Sequence, residues 1–281
     1  MLIDPYQTNW HAELLAQSRQ LPDGAQLVLL IDGAFVPGLF RHLTSSSEPV
    51  LLFERLPGCN DKVRDVSPFL VPFASGNQAL HRVLERCEGL PMLSAIVTSD
   101  SIDVLAERLA AWCTVATGGD YFNFRFPDTR RLPAIFAVLM PQQQRELAGN
   151  ALSWHYIARN GAWAALPIDY SGPAAGTTVN ARLSEAQFAR LIEDSEADEL
   201  WVRLQYGGAV WDGLPSERYY LLSQVVQIAR KHQLGNTATF RWCARLIDEI
   251  GIDTGVNVAQ AFSNLENEFI GTPNEELQNT V

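Results

Sequence analysis

Long apolar runs are missing from this 281-residue sequence. The longest are short, such as Leu27 to Ile31 and Ala134 to Met140, whereas a membrane-spanning helix needs about 20 apolar residues. The N-terminal residues have no basic patch followed by an apolar core, so they do not resemble a signal peptide. We therefore expect a cytoplasmic protein with no membrane partner.

Cysteine is scarce, and positive charge is in deficit. The four cysteines, Cys59, Cys87, Cys113 and Cys243, form no CxxC pair and no Cys/His cluster with zinc-ligand spacing. We therefore expect reduced, packed thiols and no metal site. The net charge is −11, and neither half of the chain is basic, so nucleic acid is disfavoured as a partner.

Motifs of the common enzyme classes are also absent from the sequence. There is no GxSxG elbow, HExxH pair, phosphate-binding loop or GxGxxG turn. Ser153 and His155 share a strand face, but no base-nucleophile motif accompanies them. We expect no catalytic residues, no cofactor and no enzymatic activity. The alternative is a hydrolase or transferase with an unrecognised site, which needs His42, His81 or His155 beside a carboxylate and a nucleophile.

The first part of the chain alternates strand and helix patterns. Apolar runs bounded by Pro or Gly predict strands, and a 3.6-residue periodicity predicts helices between them. The strands are expected at 27–34, 49–56, 65–74, 92–100 and 121–128, and the clearest helices at 10–20, 78–87 and 101–112. A hairpin is expected to turn at Asn160–Gly161. This order indicates an α/β or α+β lobe over residues 1–170, with a mixed sheet flanked by helices.

The C-terminal part shows helical patterns alone. Residues 171–180 have the Gly, Pro, Ser and Thr content of a linker, so we place the lobe boundary there. Apolar residues then recur at helical spacing over 183–206, 216–232, 237–250 and 256–269. We predict a smaller all-α lobe over residues 171–281.

Two groups of side chains are candidates for binding a partner. In FRFPDTRR (124–131), Arg125 can pair with Asp128 across a turn, which gives either a structural ion-pair network or an exposed guanidinium surface for an acidic partner. In the C-terminal lobe most aromatic residues fit the core pattern. Trp211, Tyr219 and Trp242 are the candidates for partner contacts, since exposed Trp and Tyr are favoured anchors at interfaces.

Five segments, in order, resemble one known family. They are LIDGAFVPGLFRHL, LLFERLPG with DVSPFLVPF, IVTSDSIDVLAERLAAW, FRFPDTRRLPAIFAVLMPQQQRELAG and WHYIARNGAW, which together span about residues 26–165. They are similar to the family described as domain of unknown function 4123. Its characterised members are effector chaperones, also called adaptors, of the bacterial type VI secretion system.

The resemblance carries over scaffold residues and no catalytic role. Asp32 and Gly33 match the family's DGA turn, and Pro68 matches the start of an apolar strand. The family's arginine-aspartate-arginine corner is matched by Arg125, Asp128 and Arg130. The chain departs from the family at Leu93–Ser94, where a Trp-Gly pair is usual, and at 108–111, where a basic stretch is common.

The resemblance implies an adaptor that binds a specific effector toxin and helps to load it on the VgrG spike protein. The variable second lobe is then expected to recognise the cargo. An immunity protein that neutralises a toxin is the second hypothesis. Helix-turn-helix DNA binding by residues 216–250 is weakly supported, because the lobe is net acidic.

Overall fold

The structure is a computed structural model that describes residues 2–43, 48–168, 181–231, 233–236, 239–241 and 243–244. Contacts divide the chain into two units, Met1–Ile192 and Glu193–Val281. Within the described residues, no helix is long and apolar enough to cross a bilayer.

The strands of the first unit form a main sheet and a separate hairpin. The main sheet has six strands in the order β2-β3-β1-β4-β7-β8, and a two-stranded sheet pairs β5 with β6. The strands are β1 (Gln26–Ile31), β2 (Val50–Leu51), β3 (Phe69–Pro72), β4 (Leu93–Thr98), β5 (Thr114–Thr117), β6 (Asp120–Asn123), β7 (Ala151–Ile157) and β8 (Trp163–Ala165).

Helices cover both faces of the main sheet. The helices of the first unit are α1 (Trp10–Arg19), α2 (Asp61–Asp65), α3 (Gln78–Glu85), α4 (Ile102–Trp112), α5 (Leu132–Val138), α6 (Pro141–Ala148) and α7 (Glu185–Glu193). Short 3-10 helices occur at Leu39–His42 and Leu52–Arg55. The predicted fold class is thus confirmed. The expected mixed sheet is instead antiparallel at every described pairing, as the β1–β3 and β1–β4 registers show.

Strand side chains that point alternately to the two faces of the main sheet form two hydrophobic cores. Val28 and Leu30 of β1 face the cluster that includes α4, α5 and α6, while Leu27, Leu29 and Ile31 face the cluster that includes α1 and α3. Successive strand side chains point to opposite faces, and here both faces are covered. This explains why β1 is apolar at nearly every position.

The described part of the second unit is helical. Helices α8 (Glu196–Tyr206) and α9 (Pro215–Lys231) pack through a small core that includes Leu204 and Val225. The predicted helix at 237–250 lies largely outside the described residues, and the one at 256–269 lies wholly outside them.

Residues 181–192, which the sequence placed in the second lobe, pack with the first unit. Arg182 forms a parallel bridge with Ala116, and Leu183 and Leu191 are buried in the core beneath the sheet. The linker predicted at 171–180 lies outside the described residues.

Candidate functional site

Asp32, just after β1, is a buried carboxylate held by one ion pair. It is 1% exposed, and its Oδ2 accepts a hydrogen bond from Arg125 Nη2 at 2.7 Å. Its Oδ1 accepts a second bond from the backbone N–H of Ala34 at 3.0 Å. Burial raises the pKa of Asp32 above its ordinary value, and this effect outweighs the opposing charge of Arg125.

Arg125 follows β6 and is the exposed member of this pair. Its side chain is 40% exposed, and its guanidinium lies over the ring of Phe35 at 5.5 Å from the centroid. Arg130 approaches the same ring at 5.6 Å. The ring therefore lies against two cations, an arrangement in which each cation is attracted by the aromatic face.

Arg130 donates hydrogen bonds to both carboxylate oxygens of Asp128. Arg130 Nε donates to Oδ1 at 3.1 Å, and Nη2 donates to Oδ2 at 2.8 Å. The backbone N–H of Arg130 also donates to Oδ1. The Arg125–Asp128 pair that the sequence suggested is therefore not formed, because Arg130 occupies Asp128 and Arg125 reaches Asp32.

Gly33 and Pro68 bring two distant segments into contact beside this pair. A Cβ atom on Gly33 would lie only 2.2 Å from the carbonyl oxygen of Ser67, so the close approach requires glycine. Ser67 Oγ accepts a hydrogen bond from Phe53 N–H at 3.0 Å and donates one to the carbonyl oxygen of Pro68 at 2.8 Å. The chain ahead of β3 is thereby fixed against the 3-10 helix at Leu52–Arg55.

Two cavities adjoin this junction. One of about 220 Å³ is lined by residues that include Asp32, Pro68 and Arg125. The other, of about 210 Å³, is lined by residues that include Leu56, Cys59 and Val63. Both cavities are also bordered by Phe53, Cys113 and Asn123. We call the two together the corner groove.

Arg125 is the exposed charged side chain among the residues that line the corner groove. Asp32 and Arg125 are the charged residues among those lining the two cavities. The Asp32 side chain is 1% exposed, whereas the Arg125 side chain is 40% exposed. An arginine in this state donates hydrogen bonds to carboxylate or carbonyl oxygens, and the rest of the wall is largely apolar. The arrangement suits binding of a polypeptide side chain.

The predicted aromatic contacts of the second unit are more buried than expected. Trp211 and Tyr219 are half-buried and pack against the core of that unit, and Trp211 Nε1 donates to the carbonyl oxygen of Leu214 at 3.2 Å. Trp242 lies outside the described residues. Tyr206 and Tyr220 present more surface, with exposed fractions of 89% and 66%. Sequence periodicity did not separate these two tyrosines from the core set.

The histidines occupy varied environments. His81 Nδ1 lies 3.3 Å from Glu85, and its ring contacts that of His11. His42 Nε2 lies 2.5 Å from Arg86 Nη1, and burial lowers the pKa of His155. Among the residues that the structure describes, no hydroxyl or thiol is hydrogen-bonded to these histidines. The same residues contain no group of His, Cys, Asp or Glu arranged to hold a metal ion.

The sequence analysis did not identify several residues of the corner groove, although the alternation at residues 121–128 pointed to some of them. Residues 121–128 alternate as a strand would, which places Tyr121, Asn123 and Arg125 on one side and the buried Phe124 and Phe126 on the other. The structure ends β6 at Asn123, but the alternation continues to Phe126. No local pattern identifies Phe53, Val63 or Cys113 as their neighbours, because those residues come from other segments.

Comparison with curated proteins and with solved structures finds no match to this chain. Residues 27–146, a segment that includes every residue lining the corner groove, match the family model described as Domain of unknown function (DUF4123).

Proposed function

We propose that this protein is a type VI secretion chaperone, or adaptor, that binds a specific effector toxin and helps to load it on the VgrG spike protein. The observation that carries the proposal is the DUF4123 match at residues 27–146, the family that the sequence segments also resemble. As the resemblance implies, the adaptor acts in the cytoplasm and stays behind when the secretion tube fires.

The geometry of the first unit supports a role in binding. Every residue that lines the corner groove falls within the matched segment. A wall of mostly apolar residues with one partly exposed arginine side chain provides the features of a protein-recognition site, in which Arg and aromatic side chains act as anchors. Neighbouring Asp32 holds the guanidinium in place, so little side-chain entropy remains to be lost on binding.

The proposal is tested by partner identification followed by reconstitution. The tagged full chain is purified from its native bacterium, and its partners are identified by mass spectrometry. We expect one large toxin, with or without the spike protein. The purified toxin, spike and adaptor are then mixed and separated by size-exclusion chromatography. Failure of the adaptor to bind any toxin or spike protein encoded beside it would overturn the proposal.

Activity of the bound toxin separates the adaptor from an immunity protein. An adaptor binds a segment away from the toxin's active domain, so the toxin keeps its activity in the complex. An immunity protein blocks that activity at a one-to-one ratio. Toxin activity is therefore measured with and without a saturating amount of this protein, and inhibition would favour the immunity hypothesis.

A further inference from the structure

One face of the β5–β6 hairpin is open and leads into the corner groove. In the hairpin register, Ala116 lies opposite Tyr121 and Thr114 lies opposite Asn123. These four residues share one face, since alternate strand residues point to the same side. We call them the hairpin face. Tyr121 is 75% exposed on it.

The opposite face of the hairpin packs on the protein. Val115 and Thr117 are buried on that side, and the ring of Phe122 lies 4.5 Å from the ring of Phe188 in α7. The hairpin is therefore anchored through one face, and on the other face Tyr121 and Asn123 are exposed within the part of the chain that the structure describes. Thr114 and Asn123 also line the corner groove, so the open surface is continuous from Tyr121 to Arg125.

The two edges of the hairpin differ. The β5 edge is taken by the chain itself: Ala116 N–H donates to the carbonyl of Ala181 at 3.0 Å, and Leu183 N–H donates to the carbonyl of Ala116 at 2.9 Å. Within the described residues, β6 pairs with β5 alone. An unpaired edge offers backbone N–H and C=O groups to an added strand.

We propose that the hairpin face, the β6 edge and the corner groove together bind an extended peptide segment of the effector that carries a carboxylate beside an apolar side chain. This inference rests on the proposed function and names its binding site. Backbone groups of the peptide pair with β6, and its apolar side chain enters the cavity beside Leu56 and Val63. The four residues of β6 can pair with about four residues of extended peptide, which span about 13 Å.

Charge complementarity selects the carboxylate. Arg125 uses Nη2 for Asp32, and its side chain is 40% exposed, so its remaining guanidinium N–H groups are donors for a second carboxylate. The chain has a net charge of −11, which opposes a strongly acidic partner at long range. Salt at physiological concentration screens the repulsion between these negative charges beyond about 8 Å. A single acidic residue next to Arg125 is therefore favoured over an acidic tract.

The test compares groove variants with matched variants elsewhere, all in the full chain. Tyr121→Ala removes the exposed ring of the hairpin face, and Val63→Asp places a negative charge on the groove wall. Met140→Ala and Leu152→Asp are the controls, because those residues are 58% and 40% exposed in the first unit and belong neither to the corner groove nor to the hairpin face. Circular dichroism melts verify that all four variants fold.

Binding of the co-purified effector is measured by calorimetry. We expect Tyr121→Ala and Val63→Asp to weaken binding about tenfold or more, as loss of an interface anchor does, while both controls stay within about twofold of the parent. Parent-like binding by the groove variants would overturn the inference and leave the adaptor function standing.

A display library of random twelve-residue peptides provides an independent probe of the same surface. The selected peptides are expected to carry Asp or Glu beside an apolar residue, to bind Val63→Asp about tenfold more weakly, and to lose affinity when the acid becomes an amide. If no effector is recovered, the adaptor function fails, and this selection alone then tests whether the corner groove binds a peptide. The inference would be overturned if none of the selected peptides bound Val63→Asp more weakly than the parent. A dimer of this chain that Tyr121→Ala dissociates would also overturn it, because the occupant would then be a second copy.

Discussion

The carboxylate of Asp32 accepts a 2.7 Å hydrogen bond from the guanidinium of Arg125, 93 residues later in the chain. The bond joins the end of the central strand β1 to the segment that follows the β5–β6 hairpin. It therefore holds together the two parts of the chain that form the larger cavity of the corner groove.

Replacing Arg125 by Met should destabilise the protein. Removing one partner of a fully buried pair costs roughly 3–5 kcal/mol. Arg125 is 40% exposed, so solvent screening reduces the expected loss to about 1–3 kcal/mol. Urea unfolding measures the change. Adding Asp32→Asn should recover part of the loss, because no unpaired buried charge remains, and a double variant no more stable than Arg125→Met would contradict this account.

The pH dependence of stability should report the buried carboxylate. Burial raises the folded-state pKa of Asp32 above its ordinary value of 3.8, so the folded protein holds this proton more tightly than the unfolded chain. The resulting stabilisation is fully present below the unfolded pKa and is lost as the pH rises through the folded pKa. The unfolding free energy of the parent minus that of Asp32→Asn should therefore fall with rising pH over this window. A difference that rises instead would show that Arg125 dominates.

Gly33→Ala should be strongly destabilising, because its Cβ would lie 2.2 Å from a backbone oxygen that cannot rotate away. Overpacking of this kind typically costs about 1–3 kcal/mol. Gly76→Ala is the matched control, since a Cβ there meets nothing within 4 Å. Thermal or urea unfolding should show a large loss for the first variant and little change for the second. Equal effects would mean that the close approach to Ser67 is not what requires glycine.

One thiol should react rapidly in the folded protein. Cys59 is half-buried in the wall of the corner groove, whereas Cys87, Cys113 and Cys243 are buried. Burial raises the pKa of Cys87 and of Cys243 to about 12, which suppresses their thiolate forms at neutral pH. Titration with a thiol reagent should give one fast equivalent and three more after denaturation. In Cys59→Ser the fast equivalent should be absent.

Much of the secondary structure follows from local sequence. The sequence predicted a helix at 101–112, and α4 begins at Ile102 with Ser101 Oγ accepting a hydrogen bond from Val104 N–H at 3.3 Å. Leu105, Leu109 and Trp112 are buried on the expected face. The hairpin predicted to turn at Asn160–Gly161 is likewise present, as β7 pairs with β8 and Gly161 has a φ of 71°. Periodicity and turn chemistry act within a few residues, so they are readable from the sequence.

The tertiary structure alone decided which charged side chains pair with each other. The sequence identified Asp32, Gly33, Arg125, Asp128 and Arg130 as a motif set, but its nearest pairing for Arg125 was Asp128. The fold pairs Arg125 with Asp32 instead, because the path of the chain places the end of β1 beside the end of the hairpin. The antiparallel sheet and the inclusion of residues 181–192 in the first unit were settled in the same way.

By itself, the sequence determined the α/β fold class, the helix α4 and the hairpin turn at Asn160–Gly161, since hydrophobic periodicity and turn chemistry are local properties of the chain. Only the tertiary structure decided that Phe53, Val63, Cys113, Asn123 and Arg125 line one groove. These residues come from different segments, and their convergence depends on strand order and on the close approach at Gly33. A contact between distant segments depends on the path of the whole chain, which no short window of sequence contains.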